Sequence, residues 1–553
     1  MPMTSMSANQ SFQELSPRAR LAALFDDACF TELAGPFDRI HSPWLLQQGL
    51  VPQADDGVVI ARGAIDGREV VGIALEGSFE GGSIGEVGGA KIAVALELAA
   101  ESCRAGHPIA ALLLLETGGV RLQEATLGLA AIAAIQTAII DLRELAPVVA
   151  VIAGPVGCFG GMSLAAELCT WIVGTPHGRL GMNGPEVIEQ EAGADEIDAG
   201  DRELIWQLVG CAVRRRDGWI DAFVEDDLGS LQAAVSAAIA RGPLTSVRTT
   251  RALEQLQRLR REVEPGHGLD QAPTIGRAQL WLERLADGKV EQAYATPSVL
   301  TADIALPGSQ QSVFAIAIVP DAASRFPRAA HGELGLEQAW ALTACIDRFL
   351  AEEQQVGSKR PIVAIVDTPG QAFGRIEEQG CISAAAASAV DAYARARRAG
   401  HAVLTLVVGR AVSGAFLAHG LQSDCIFAVS GADVSMYAMS AQSIARITRR
   451  TVAAVQAAAS ATLPMSFAIA DAHRLGVIDT LIDRVNIDDP SPYDLDTVRS
   501  CFSEALAAYR RGDATRASIA ENPYRQATLQ VRRAIRKQCL AVTVEGAGHA
   551  VEV

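Results

Sequence analysis

Four glycine-bearing loops hold the residues of this 553-residue chain whose type and spacing best suit chemistry. Each follows an apolar, strand-like run. ALLLLE leads into Thr117-Gly118-Gly119 and VVAVIAG into the loop ending Phe159-Gly160-Gly161; PIVAIVD leads into Thr368-Pro369-Gly370 and VLTLVVG into the loop carrying Ser413-Gly414-Ala415. A glycine at a strand end lets backbone N–H groups face a ligand with no β-carbon in the way. Where a helix starts next, its unpaired N–H groups and positive end favour an anion. Two such loops can converge on an oxygen that gains charge during reaction, forming an oxyanion hole. Glycines also end strands merely because turns need them. Repetition argues against that here: Gly119 precedes Gly161 by 42 residues and Gly370 precedes Gly414 by 44, in matching order.

Other candidates surround these loops. The segment Glu80-Gly81-Gly82-Ser83-Ile84-Gly85 runs into a helical stretch containing Lys91. It reads either as a phosphate- or pantetheine-contacting loop, with Gly82, Ser83 and Lys91 as contacts, or as a plain hairpin. Its spacing does not fit a Walker loop. Arg121, Cys158, Gly374 and Glu377 lie within or just after the strand-end loops and complete the expected substrate contacts. Cys158 has no visible base partner, so a nucleophilic role is not expected of it. Glu124 and Glu378 read as pairing carboxylates. His331 and His419 are the proton-donor candidates, with His177 behind them, because imidazole titrates near working pH; a satisfied core histidine is the competing reading for each.

The elements that must position these loops alternate. Strands are expected at 58–61, 68–74, 109–116, 148–153 and 169–173, with helices at 90–103, 124–141 and 161–168 between them. That is an α/β layering, with helices covering a sheet. A polar, charged segment after Arg241, closed by Pro265, Gly266 and Gly268, reads as a helix and linker with a boundary near residue 267. The plan then restarts: strands at 312–319, 361–366 and 403–408, helices at 335–350 and 383–399. The chain is expected to be two divergent copies of one domain, 1–267 and 268–553.

Bulk properties narrow the class. The formal net charge is −17 with only four lysines, which disfavours nucleic-acid binding through a global positive field. Three arginine groups (Arg214–Arg216, Arg395/Arg397/Arg398 and Arg446/Arg449/Arg450) read as solvated helix faces, one of which could dock an acidic partner. The ten cysteines form no C-x-x-C pair and no zinc spacing, so buried thiols in a reducing compartment and no metal are expected. The N-terminus lacks signal-peptide character, and the most apolar stretch, 127–140, falls short of a membrane span of about 20 residues. A cytoplasmic protein is expected.

The motifs resemble a known group. Thr117-Gly118-Gly119-Val120-Arg121-Leu122-Gln123-Glu124, Gly154-Pro155 through Gly160-Gly161, and Gly184-Pro185-Glu186-Val187-Ile188-Glu189 resemble the β-type domains of acyl-CoA carboxyltransferases. Asp367-Thr368-Pro369-Gly370 with Gly374 and Glu377-Glu378-Gln379-Gly380 resembles their α-type domains. Ala415 stands where those have the last glycine of S-G-G. Within this carboxyltransferase branch of the crotonase superfamily, residues 79–90 and 155–162 look like the β subunit of malonate decarboxylase; residues 319–335 and 409–420 look like its γ subunit. No zinc ribbon and no A-M-K-M biotin-attachment sequence is present.

The resemblance implies two tandem crotonase-like domains of ββα superhelical architecture. It implies decarboxylation of a malonyl thioester on an acyl carrier protein to the acetyl thioester. The enolate would be held by N–H groups of Gly118, Gly119, Gly160 and Gly161, and the departing carboxylate or CO2 by the loops of Gly370, Ser413 and Gly414. It implies a phosphopantetheine-type, dephospho-CoA-derived arm, no metal and no biotin. The implied partners are an acyl carrier protein subunit and an acyl-carrier transferase subunit, in a homo-oligomer. A biotin-dependent carboxyltransferase and a noncatalytic carrier-binding module are the alternative readings.

Overall fold

The computed structural model describes residues 10–27, 29–51, 56–243, 251–263, 275–292, 294, 296–308, 311–512 and 523–548. The chain divides into two compact units. The first comprises residues up to Glu124, Ala131–Arg248 and the C-terminal segment from Ala527; the second comprises Ala125–Ala130 and Thr249–Gln526. The expected boundary near residue 267 lies outside the described residues.

In the first unit the described strands form one seven-stranded sheet in chain order: β1 (Thr31–Ala34), β2 (Val58–Ile65), β3 (Arg68–Leu75), β4 (Ala110–Leu114), β5 (Val148–Ile152), β6 (Trp171–Gly174) and β7 (Ala222–Phe223). β2 and β3 form an antiparallel hairpin over the two-residue turn Asp66-Gly67; β3 through β7 run parallel. Every residue of β4 and β5 is buried, as expected of strands covered on both faces, and this is why they read as unbroken apolar runs. The core joins Phe12, Leu21 and Phe25 to Val59, Leu112, Val149 and Val151, and to Leu231 and Val235 of the helix Leu228–Ala240. Residues of the C-terminal helix Pro523–Gly548 belong to this unit from Ala527 onward: Ile535 and Cys539 are buried and Arg536 bonds Glu101 at 2.5 Å.

The second unit repeats the plan. Its described strands, β8 (Glu291–Gln292), β9 (Val299–Ile304), β10 (Val313–Ile318), β11 (Ile362–Thr368), β12 (Val403–Val412), β13 (Cys425–Val429) and β15 (Thr480–Ile482), lie in one sheet with β14 (Ser435–Tyr437) beside β12. β9 and β10 are antiparallel, and β10, β11, β12 and β13 parallel. The helices Leu336–Val356 and Ile382–Arg398 pack together, and helix Arg277–Leu285 packs on β10, β11 and β12. The expected elements are present in both units, with small shifts: the strand expected at 169–173 runs Trp171–Gly174, and the one expected to end at 408 continues to Val412.

The apolar stretch at 127–140 belongs to a longer helical span than its composition alone indicated. Leu122–Arg143 is long and apolar enough to cross a membrane, but 72% of its apolar window is buried inside the protein, the burial of a core helix. All ten cysteines are free thiols.

Candidate functional site

The two glycine loops of the first unit meet. Gly119 (φ 110°) and Gly160 (φ 62°) both adopt backbone conformations that favour glycine. A β-carbon on Gly160 would lie 3.0 Å from Gly119 Cα. The loops are stitched by the Phe159 N–H donating to Thr117 O at 2.9 Å and the Thr117 N–H to Gly157 O at 2.8 Å.

The donors expected to form the hole differ in what they already hold. The Gly118 N–H donates to Gly81 O at 2.8 Å and the Gly160 N–H to Met182 O at 2.9 Å. The Gly119 N–H donates to the Thr117 hydroxyl at 3.0 Å. Three of the four expected N–H groups are therefore committed within the protein. Gly161 opens the helix Gly161–Leu168, and its N–H and that of Met162 have no acceptor among the described residues. The available donors are thus the helix-opening pair Gly161 and Met162, with Gly119 and Gly160 shaping the backbone beside them. Met162 was not singled out from sequence.

The glycine-rich segment is tied to this site through Gly82, where a β-carbon would lie 1.9 Å from Glu116 O. Glu116 pairs with Arg20 at 2.6 Å, both side chains buried. Arg121 braces the loop: its guanidinium donates to Ser83 O at 2.9 Å, Asp56 O at 3.0 Å and the Ser83 hydroxyl at 3.3 Å, and it stacks on Phe79. Phe79, Glu80, Arg121 and Glu124, together with Ile40 and Ser42, line a cavity of about 250 Å³. Burial pushes the Glu124 carboxyl up, against the pull of Arg121.

Two expected substrate contacts are turned inward. The Lys91 ammonium is buried, bonded to Asp56 at 2.9 Å and Val58 O at 3.1 Å, so its charge is spent inside the fold. Cys158 is fully buried, and desolvation pushes its thiol well above the ordinary range, leaving neither a reachable surface nor a thiolate.

The second unit repeats two backbone bonds of the first at its strand-end loop. In the first, the Ile84 N–H donates to Gly119 O at 2.8 Å and the Arg121 N–H to Ile84 O at 2.9 Å; in the second, the Leu334 N–H donates to Gly370 O at 3.0 Å and the Ala372 N–H to Leu334 O at 2.9 Å. Ile84 thus pairs with Val120 as Leu334 pairs with Gln371. Ser413 (φ 53°) turns β12 into its helix, and the Gly414 N–H beside it donates to Gln371 Oε1 at 3.2 Å. The Gly414 donor expected to face a ligand is therefore already satisfied. Gly374 and Glu377 serve their own helix: a β-carbon on Gly374 would lie 2.1 Å from Glu377 Oε2, and both residues are buried.

The histidines separate. His419 is fully buried, with Nδ1 2.8 Å from the Tyr393 hydroxyl and Nε2 3.3 Å from Ile365 O. A carbonyl only accepts, so Nε2 carries the proton and Nδ1 accepts from Tyr393. Burial lowers this imidazole to about 4. It is a neutral core histidine, which removes it from the proton-donor candidates. His331 is exposed, its backbone N–H bonded to the Glu333 carboxylate at 2.8 Å. His177 is partly exposed, 3.9 Å from Asp226. Among the described residues no group of three or more His, Cys, Asp or Glu side chains is placed to hold a metal ion.

Comparison with known proteins identifies the family of the chain. The carboxyl transferase domain family matches residues 12–253, and the malonate decarboxylase gamma subunit family matches residues 329–539. The malonyl-S-ACP:biotin-protein carboxyltransferase MADC of Malonomonas rubra is 37% identical over 46% of this chain and 83% of its own. MADD of the same organism, bearing the same description, is 32% identical over 38% of this chain and 69% of its own. A crystal structure of a Pseudomonas malonate decarboxylase hetero-tetramer in complex with malonate has 57% identity, covering 48% of this chain and 94% of that chain, with a TM-score of 0.45. The chain belongs to the malonate decarboxylase branch of the carboxyl transferase family, with a carboxyl transferase half and a gamma-subunit half, both crotonase-like, in one polypeptide.

Proposed function

We propose that this enzyme removes CO2 from a malonyl thioester carried on an acyl carrier protein, leaving the acetyl thioester, in malonate degradation. Breaking the carbon–carbon bond leaves an electron pair that delocalises onto the thioester oxygen. The catalytic task is to hold that oxygen and then to protonate carbon. The observation that carries the reading is the pair of uncommitted N–H groups at Gly161 and Met162, opening a helix where the Gly119 and Gly160 backbones touch. A fixed donor of this kind is typically worth about 10²–10³ in rate. The cavity lined by Phe79, Glu80 and Arg121 takes part of the phosphopantetheine-type arm. The proposed enzyme needs neither metal nor bound biotin, and works in the cytoplasm as a homo-oligomer with carrier and carrier-transferase subunits; its free thiols suit that reducing compartment.

A second reading is favoured by a specific observation: the two Malonomonas rubra relatives bear the description of biotin-protein carboxyltransferases. The test is release of labelled CO2 from malonyl-CoA and from malonyl-loaded carrier protein by the full chain, with and without biotin and avidin. CO2 release indifferent to avidin supports decarboxylation. Label passing to biotin with little CO2 released leaves a carboxyltransferase instead.

A further inference from the structure

The turn that delivers the Gly161 and Met162 donors runs from Gly154 to Gly160, and one side chain holds much of it. Its middle is pinned by main chain on both sides, since Cys158 pairs with Thr117 and with Leu180. Its outer part has less support. Pro155 is exposed and has no N–H, the Val156 N–H makes only a long bond of 3.5 Å to Glu116, and the Gly157 N–H closes the turn on Gly154 O at 3.2 Å. The Arg179 guanidinium spans this part. Its Nη2 donates to Pro155 O at 2.6 Å and to Val156 O at 3.3 Å. Its Cζ lies 5.5 Å from the centre of the Phe159 ring and 4.9 Å from that of Trp206, whose indole N–H is fixed on Pro176 O at 3.1 Å. The Arg179 carbonyl also accepts the Cys158 N–H at 2.8 Å. Arg179 therefore holds residues 155, 156, 158 and 159, directly ahead of the donors. Among the described residues no carboxylate forms an ion pair with it, so its charge serves the turn and the rings.

We infer that Arg179 is a positioning residue: by clasping the Pro155 and Val156 carbonyls and stacking on Phe159 and Trp206, it sets the angle at which the Gly161 and Met162 N–H groups meet the thioester oxygen. The inference rests on the reading of those two groups as the oxyanion donors and deepens it. Such donors act only where the charge develops, and a misplacement of about 1 Å can cost 10²-fold in rate. The side-chain type fits the task. A planar guanidinium donates within its plane while its faces stack on rings. An ammonium donates without stacking flat, and a thioether packs without donating.

The experiment compares full-length wild type, Arg179→Lys and Arg179→Met with free biotin present. The substrate is carboxyl-labelled malonyl-CoA or malonyl-loaded carrier protein, whichever wild type consumes. The rate counted is total loss of label, as CO2 or on avidin-captured biotin, because release and transfer pass through the same enolate. Arg179→Met is expected to lower kcat roughly 10- to 10²-fold with KM changed by less than about twofold. Arg179→Lys, which keeps a donor for the two carbonyls, is expected to recover most of that loss. A residue that only packed against the rings would give the opposite order, Met retaining more activity than Lys, and that order overturns the inference. Melting temperatures identify a variant that has not folded, and Arg179→Leu serves if Met fails. Folded Met or Leu variants with wild-type kcat also overturn it, as does a raised KM at unchanged kcat, which makes Arg179 a substrate contact. The division of label in wild type tests the decarboxylase reading separately: label on biotin with little CO2 sinks that reading and leaves the comparison of variants intact.

Discussion

A β-carbon on Gly160 would lie 3.0 Å from Gly119 Cα, and one on Gly119 would lie 3.3 Å from Gly160 Cα. Two loops distant in sequence therefore meet backbone to backbone, and both residues need positive φ. Gly160→Ala would meet backbone atoms that have no freedom to swing aside. We expect it to cost about 1–3 kcal/mol of stability from strain alone and to lower kcat at least about tenfold as the Gly161 N–H is displaced. Denaturant unfolding read alongside steady-state kinetics checks this. Wild-type kcat in Gly160→Ala would show that the contact does not shape the site.

Val120→Gln is the reciprocal of the natural difference between the units. It should set a carboxamide oxygen before the Gly161 N–H, as Gln371 does before Gly414. Because Val120 is only half-buried, the melting temperature should change little. Loss of one oxyanion donor predicts a kcat reduction of about 10²–10³, with no change in protein fold by circular dichroism. A Val120→Gln enzyme with normal turnover would argue that Gly161 does not face the developing charge.

Arg20 and Glu116 form a buried pair beneath the active loops, at 2.6 Å. Arg20 also donates to Phe12 O at 3.1 Å and Gln13 O at 2.6 Å. Arg20→Met strands a buried carboxylate and should destabilise by about 3–5 kcal/mol. Adding Glu116→Leu should recover much of that loss, since two apolar side chains leave no unpaired charge. Urea midpoints of the two singles and the double measure the coupling. A double variant no better than Arg20→Met would place the cost elsewhere, in packing.

His419 makes a pH prediction with a definite sign. Its folded-state value, about 4, lies below the ordinary imidazole value of 6.5. Between those pH values the unfolded chain binds a proton that the folded chain refuses. The stability is therefore present above pH 6.5 and is lost as pH falls toward 4, by roughly 3 kcal/mol at the lower end. His419→Gln should show a shallower fall in melting temperature across pH 7 to 4 than wild type. Parallel curves for the two proteins would mean that His419 is protonated in the fold.

Much of the architecture was legible in the sequence because it depends on local pattern. β4, β5, β10 and β11 are short apolar runs ended by Thr117-Gly118-Gly119, Gly154-Pro155, Pro320 and Thr368-Pro369-Gly370, and strands covered on both faces must look like that. The repeated order of strand and glycine loop carries the duplication in the sequence itself. β9 and β13 escaped notice. The first carries a charged residue, Asp303, among its apolar ones.

The sequence by itself therefore determined the two-unit α/β plan, the strand-end loops and the family to which they belong. Only the tertiary structure decided which backbone donors remain available. The Gly118, Gly160 and Gly414 N–H groups are taken by Gly81 O, Met182 O and Gln371 Oε1, partners 22 to 43 residues away along the chain. It also decided that His419 and Lys91 are buried with partners of their own. The reason is that hydrogen-bond occupancy and burial belong to atoms brought together by folding, and spacing along a chain records neither.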